Sequence, residues 1–433
     1  MRFCAHRRRT AGLAVLLGLG VCCRDPAPPA SGGDPAREVR AQASLKEAPR
    51  RPVLRCEQGL DPFVVVLERQ VAPGARFRLL AVSERALGSV KVRGGARGIR
   101  ELHRRRGAGP PFARQYEGVA PEAVGRHPVR LLSVSGRQLA CVELRVVPGH
   151  ALTPRPAPTR GVWRIRRSWN DAWERVFSAW IAHLFRPLPK QPEGWRPLHR
   201  VLHQARRNFL HNRLGHGEDA RKNAIRVHAW ADCGDTPYQL RAYFAWKLGL
   251  PFRFRRCDRG NSVRGPRCPF ARDNRTDKFD RLGHPVRRFN AFLREGVAWN
   301  VHSGTMRTLP EDEDADFYPI ALTRHSIRPG TVYVDVGGHA FVVTQWDEGG
   351  LYAIDGHPDL SVSRRRFSPK FFRYSRGTRT GGFKAFRPLR LLGDRIVPLP
   401  NRALKRFFSV EQYRFASGRA FYREMNQLIA VSL

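Results

Sequence analysis

Acidic residues are scarce in this chain. Asp and Glu number 37 against 78 Lys and Arg in 433 residues, leaving a formal charge of +41. So lopsided a balance attracts polyanions: nucleic acid, anionic lipid head groups or acidic wall polymers. It also follows from a drift of composition toward Arg, and the charge alone does not separate the two readings. No nucleic-acid motif or base-stacking module is visible, so no specific nucleic-acid partner is expected. No stretch reaches the ~20 apolar residues that a membrane-crossing helix needs. With 42% hydrophobic and 27% charged residues, wholesale disorder, collagen and coiled coil are excluded. The length suits two or three domains, with core enough to need no metal or dense disulfide staples.

The N-terminus reads as an export signal over residues 1–23. Arg7, Arg8 and Arg9 precede an apolar run, Ala11 to Val21, of h-region length. Leu19-Gly20-Val21-Cys22 resembles a lipoprotein cleavage site, where Cys22 would carry a lipid. Residues 24–54, rich in Pro, Ala and Gly, read as a flexible tether. The expected location is outside the cytoplasm, periplasmic or lipid-anchored, with the membrane touched only through such an anchor.

Export makes the cysteines informative. Of eight, Cys4, Cys22 and Cys23 belong to the signal. In an oxidising compartment the rest should mostly pair. Cys56 and Cys141 bracket one segment, Cys257 and Cys268 a short polar loop, and Cys233 is left over. A lone thiol in an exported protein is a candidate nucleophile.

Residues 55–148 carry alternating runs, Phe63–Leu67, Phe77–Val82, Val129–Val134 and Cys141–Val146, punctuated by Gly and Pro. This predicts a small β-sandwich, Ig-like in pattern, with a 149–160 linker after it. Residues 161–433 are expected to form one further domain with an insertion at about 257–325. Within it, 160–230 reads as helical and aromatic-rich. His199 and His203 stand four apart, as helical metal ligands do, but without the Glu of a metalloprotease; packing is the expected role, and no metal or cofactor is expected anywhere. The acidic run Glu311–Asp316 reads as a solvated loop. The basic runs Arg364–Arg366 and Arg373–Lys384 read as one polycation patch, and Ser409–Leu433 as a closing helix.

Two stretches carry chemistry. In Asp232-Cys233-Gly234-Asp235, followed by Thr236 to Leu248, the residues Leu240, Tyr243, Phe244 and Leu248 make one helical stripe that Gly249 and Pro251 stop. Cys233 therefore sits at a helix start, where free N–H groups and the dipole favour a thiolate. Pro237 fits a first turn, so the regular helix begins just after Cys233. The second stretch, 329–359, predicts a three-stranded meander: Thr331–Val336, His339–Trp346 and Leu351–Asp355. His339 opens one strand and Asp355 closes the next. A nucleophile, a base and an orienting carboxylate are the three parts that thiol attack on an amide needs. With a tight turn at Glu348-Gly349, Asp355 would face away from His339 unless a bulge intervenes, so His357 and Asp359 stand as rivals. For the oxyanion, the Cys233 N–H is one donor, with Trp195 or Gln204 as a second.

Cys233-Gly-Asp235, Leu240, Gly249-Leu-Pro251-Phe-Arg253, His339-Ala340-Phe341 and Asp355 together resemble the transglutaminase-like core. Arg328-Pro329-Gly330-Thr331-Val332 and Asp232-Cys233 are similar to NlpC/P60 and CHAP peptidoglycan hydrolases, all branches of the papain-like superfamily. The resemblance implies an α+β papain-like fold with Cys233 as nucleophile, His339 as base and Asp355 as orienting carboxylate. It implies a peptide or peptidoglycan-like substrate in the cell envelope, with anionic envelope polymers suited to the positive surface. The outcome would be hydrolysis or acyl transfer, including transglutaminase-like cross-linking. The rival is a catalytically inactive papain-like scaffold that only binds the envelope.

Overall fold

The computed structural model describes residues 56, 59–104, 109–152, 160–187, 194–261, 264–374, 380–404 and 407–431. The signal, the tether and most of the 149–160 linker lie outside these.

Mixed helix and antiparallel sheet make an α+β protein. Seven strands come first: β1 (Phe63–Val66), β2 (Arg76–Ser83), β3 (Val90–Arg93), β4 (Arg100–Arg104), β5 (Phe112–Val119), β6 (Gly125–Ser133) and β7 (Gln138–Val146). They form two sheets, ordered β1-β2-β5-β4 and β3-β6-β7. The Cys56–Cys141 disulfide ties the chain just before β1 to β7. Period-two alternation explains why β1 is apolar at every position. Val64 and Val66 join the core between the two sheets, while Phe63, Val65, Leu80 and Val82 face the other way, into the core that follows.

That second core surrounds α1 (Asp171–Leu184) and α3 (Asp235–Leu248), with β8 (Gly194–Trp195) and the short α2 (His199–Leu202) between them. The expected helical stretch 160–230 is thus mostly turns: its His-, Asn- and Gly-rich part after 203 is held by side-chain-to-backbone bonds, such as Asn212 and Asp219 each accepting from the other's N–H at 2.8 Å. A stripe was expected on α3, but every residue from Thr236 to Leu248 is buried. Trp169 stacks on Phe244 at 5.8 Å and Trp180 on Tyr243 at 5.5 Å. Trp246 stacks on Phe289 at 4.0 Å.

Two charges on this helix are buried with it. Arg241 forks onto Glu174 and lies over the Trp169 ring. Lys247 meets both Glu218 and Asp219, and all three side chains are fully buried. Removing one member of such a group strands the others in a low-dielectric interior. Lys247→Met is expected to cost about 3–5 kcal/mol in chemical denaturation; a loss below ~1 kcal/mol would show that the carboxylates take protons instead.

The chain continues through the hairpin β9 (Arg253–Arg256) and β10 (Phe270–Asp273), stapled by Cys257–Cys268, and α4 (Pro285–Ala291), which runs into a wider π-turn to Ala298. Phe279, Phe289, Phe292 and Val297 pack into the α3 core, so the expected insertion shares that core. The remaining strands are β11 (Phe317–Pro319), β12 (Val332–Val334), β13 (Ala340–Asp347), β14 (Gly350–Gly356), β15 (Val362–Arg366), β16 (Gly382–Phe386) and the hairpin β17 (Leu389–Leu392)–β18 (Arg395–Pro398). A seven-stranded antiparallel sheet orders β11-β16-β12-β13-β14-β15-β8. Val332, Val334, Val342 and Ile354 point to the α3 core. Tyr333, Phe341, Val343 and Ala353 point to a further core closed by α5 (Gly418–Val431) through Phe421 and Met425.

Two charged runs differ from expectation. Asp314 and Asp312 bind Arg253 and Arg255, and Asp316 is buried, accepting from Tyr238 Oη at 2.9 Å and Arg255 N at 2.8 Å. The basic runs are partly paired with the fold: Arg373, itself exposed, holds the buried Asp335, and Lys384 is buried, donating to Thr308 O at 3.0 Å. Sequence shows the charge but not the acid or carbonyl that a distant loop brings to it.

Candidate active site

The start of α3 is built by its own two carboxylates. Asp232 Oδ1 accepts from Gly234 N at 2.8 Å and Asp235 N at 2.9 Å. Asp235 in turn accepts from the Asp232 backbone. This reciprocal arrangement is a capping box in Asp-x-x-Asp form, and Cys233 sits inside it. Among the described residues nothing accepts from the Cys233 N–H. The box is a sequence signal that the reading above passed over.

Cys233 is half-buried and free, whereas the other four described cysteines are paired as expected. The disulfides fit an oxidising compartment. The start of α3 is walled by two close approaches. A Cβ on Gly234 would sit 2.8 Å from His302 Cα, and one on Gly356 would sit 2.6 Å from Asp232 O and Thr236 Oγ1. His302 is itself fixed, with Nδ1 accepting from Gly304 N and Nε2 donating to Cys257 O, both at 3.0 Å. Gly356 closes β14, directly after Asp355, so the sheet end and the helix start meet with no room for a side chain. Gly356→Ala is therefore expected to push the two apart and slow alkylation of Cys233 at pH 6 several-fold with the fold retained; an unchanged rate would mean that the contact is not needed.

His339 bridges the two elements. Its Nε2 donates to Asp355 Oδ2 at 3.0 Å, and the ring also hydrogen-bonds the Cys233 thiol. A bulge decides this. Phe341 pairs with Asp355 and Val343 with Ala353, but Gln345 pairs with Tyr352, leaving Thr344 as an extra residue in β13. The extra residue shifts the register by one and places Asp355 on the His339 face. Asp335 steadies the turn before His339, its N–H donating to His339 O at 2.7 Å and its carboxylate held by Arg373 Nε, also at 2.7 Å.

Asp355 is nearly fully buried and has an imidazole and a guanidinium beside it. His357 Nε2 lies 3.4 Å from Oδ2, and Arg365 Nε lies 3.3 Å from Oδ1. Asp359 stands apart, more than half exposed and turned to Ser361 and Arg196. Of the three rivals for the carboxylate position, Asp355 alone bonds His339. His357 supports Asp355. Arg365, which no motif pointed to, reaches it from β15, across a register invisible in sequence.

Electrostatics follow from these contacts. Burial opposes a charged His339, but hydrogen bonds to Asp355 and Cys233 and their negative charge outweigh it, pushing its pKa up to about 9. Burial likewise works against an ionised Asp355, but the His339 hydrogen bond and the charges of His357 and Arg365 hold it below the usual carboxylate range. Asp235 goes the other way: burial, then the Asp232 charge, raises it to about 8. An acid raised this way favours folding at low pH and costs stability progressively between pH ~4 and 8. Asp235→Asn keeps the capping acceptor and removes that cost. It should raise stability at pH 7 by about 1–3 kcal/mol and leave it unchanged near pH 4; melting curves at both pH values check this.

The other sequence candidates lie elsewhere. Trp195 is buried in β8, paired with Val362, its ring under Arg207. The Oε1 of Gln204 is buried without a partner. Neither is placed as an oxyanion donor by any contact to Cys233. His203 Nε2 donates to Val227 O at 2.9 Å, and His199 Nδ1 accepts from Ala229 N at 3.2 Å. Burial keeps both imidazoles neutral, with pKa lowered to about 4. Among the described residues no group of three or more His, Cys, Asp or Glu is arranged to hold a metal ion, and no helix is long and apolar enough to cross a membrane. No family model, curated protein or solved structure matches the chain.

Proposed function

We propose that the protein is an exported, thiol-dependent amide or peptide acyl-transfer enzyme of papain-like type, acting on cell-envelope peptides. One observation carries the reading: His339 bonds Asp355 through Nε2 and the Cys233 thiol through the rest of its ring. With Nε2 occupied, Nδ1 is the nitrogen left for sulfur. An imidazole held charged up to about pH 9 is a fitting partner for a thiolate.

The steps follow from these groups. Cys233 Sγ attacks the amide carbonyl carbon while His339 carries the proton. The Cys233 N–H, which has no acceptor among the described residues, would donate to the developing oxyanion. The C–N bond breaks as His339 gives its proton to the leaving amine, and a thioester remains on Cys233. Water then attacks the thioester and passes a proton back through His339, releasing the acid and restoring the thiol. An amine in place of water would give a new amide, and the overall reaction would be transamidation. Asp355 orients the ring and balances its charge throughout.

Intact-mass analysis after brief mixing with wall-peptide fragments tests this. The expected result is a mass increment equal to the acyl half of the peptide, located on Cys233. A chain that never gains such an increment, while still binding the fragments, would favour an inactive envelope-binding scaffold.

A further inference from the structure

Several buried or half-buried arginines in this protein are matched with an acid: Arg175 with Glu84, Arg241 with Glu174, Arg253 with Asp314, Arg255 with Asp312. A cleft of ≈ 530 Å³ opens beside β8 and is lined by Trp195, Arg196, Arg200, Arg221, Arg226 and Trp230, with no acidic side chain among the described residues that line it. Arg200 and Arg221 are exposed, and neither forms an ion pair among the described residues. Arg226 donates only to Asn223 O, and Arg196 reaches Asp359 no closer than 3.9 Å. The imidazoles of His199 and His203 in the wall are neutral near pH 7, so the charge here is that of the four guanidinium groups.

The cleft adjoins the reaction centre through two chain connections. Trp230, 47% exposed, is three residues before Cys233, and its carbonyl is fixed by Gln239 Nε2 of α3 at 2.9 Å. Trp195 pairs with Val362, which pairs with Gly356, the residue after Asp355. Trp230 is held by the rings behind it, lying parallel to His228 and edge-on to His199 at 5.2 Å. Arg196 has Asp359 at 3.9 Å, whereas Arg200, Arg221 and Arg226 share the cleft with no ion pair among the described residues; like charges gathered in this way repel one another, and an anion relieves that cost. Guanidinium groups bind carboxylates through paired N–H donors, and an exposed indole face offers stacking to the intervening chain. The volume falls in the range of small-ligand sites.

We propose that this cleft is the substrate-recognition subsite for a carboxylate-bearing peptide segment next to the scissile amide. This rests on the acyl-transfer reading above. Anionic substrate peptide would lie along β8 and be held by Arg200 and Arg221, with Arg196 and Arg226 flanking, while its amide reaches Cys233.

The test is binding, not turnover, so it is separable from the chemistry. Full-length protein carrying Cys233→Ala is titrated with a fluorescein-labelled hexaglutamate peptide, its hexaglutamine counterpart, a six-nucleotide single-stranded DNA and inorganic phosphate as competitor. Polarisation is read at low salt and at ~150 mM salt. Arg200→Gln with Arg221→Gln is compared with Arg419→Gln plus Arg423→Gln, which removes the same charge from a shallow surface on α5. The expected result is hexaglutamate binding that survives ~150 mM salt, weakens about tenfold or more in the cleft variant and less than twofold in the α5 variant, with no hexaglutamine binding. A Trp230→Phe variant should lose the ligand-induced change in tryptophan emission, whether or not the arginine variants behave. Equal weakening in both double variants, or DNA bound more tightly than hexaglutamate through the same arginines, overturns the proposal. Cleft-dependent peptide binding by a protein whose Cys233 proves unreactive would leave the subsite standing and remove the acyl-transfer reading.

Discussion

Cys233→Ser should abolish thioester formation and lower any peptide-bond or transfer activity by ~10⁴-fold or more, with little change in stability. The reason lies in the proton inventory. The site has one ring to move a proton, and its pKa near 9 matches an acidic thiol partner, not an alcohol. A serine hydroxyl is a far weaker acid than a thiol, so the ground state would hold no ionised nucleophile beside His339. The same variant keeps the half-buried volume and leaves the Asp232–Asp235 box untouched, so melting temperature should stay within a few degrees. Parallel assays of turnover and melting separate loss of chemistry from loss of fold. Retention of a tenth of the activity would place the nucleophile elsewhere.

The second large effect is expected at Asp355. Asp355→Asn should lower turnover 10²–10⁴-fold and should also change how stability varies with pH. Two linked shifts set the window. Asp355 is depressed, so its contribution exists above pH ~4 and vanishes as pH falls through its lower folded value. His339 is raised to about 9, so its contribution is complete below pH ~6.5 and fades as pH climbs toward 9. The pair stabilises most between pH ~4 and 6.5. In Asp355→Asn the extra advantage within that window should disappear, while above pH 9 the variant should remain less stable than the parent only by the part that Arg365 supplies. Denaturant midpoints across pH 4–9 measure it. A pH-independent offset would mean that Asp355 contributes packing alone. Arg365 complicates the simpler variants, because removing the Asp355 carboxylate leaves its guanidinium without that partner.

How much of this was legible beforehand differs from element to element. The cysteine pairing was legible because each partner bracketed a segment with its own turn and strand pattern. The meander 329–359 was legible because alternation and Gly-Gly turns act locally. Asp355 was not decided, because the deciding residue, Thr344, looks like any other strand residue until the register on both sides is known. The helical reading of 160–230 holds over α1 but not after 203, where the buried cation Lys247 and its acids organise the turns from a helix 28 residues away. The Arg365 contact and the unmatched arginines of the β8 cleft are likewise products of tertiary pairing. The papain-like assignment rests on local motifs and on the order of Cys, His and Asp; the antiparallel sheet and buried helix are compatible with it, while its chemistry rests on the three side chains themselves.

The most direct measurement is the rate of Cys233 alkylation by iodoacetamide from pH 4 to 10, in the parent and in His339→Ala. The account predicts a parent thiol that still reacts readily at pH 6, and a variant whose reactivity at pH 6 falls at least tenfold while the rate above pH 9 is kept. A parent thiol that reacts only as pH passes ~8.5, with a profile unchanged by His339→Ala, would contradict it. Cys233 would then be a structural cysteine and the carboxylate–imidazole pair a fixture of the sheet.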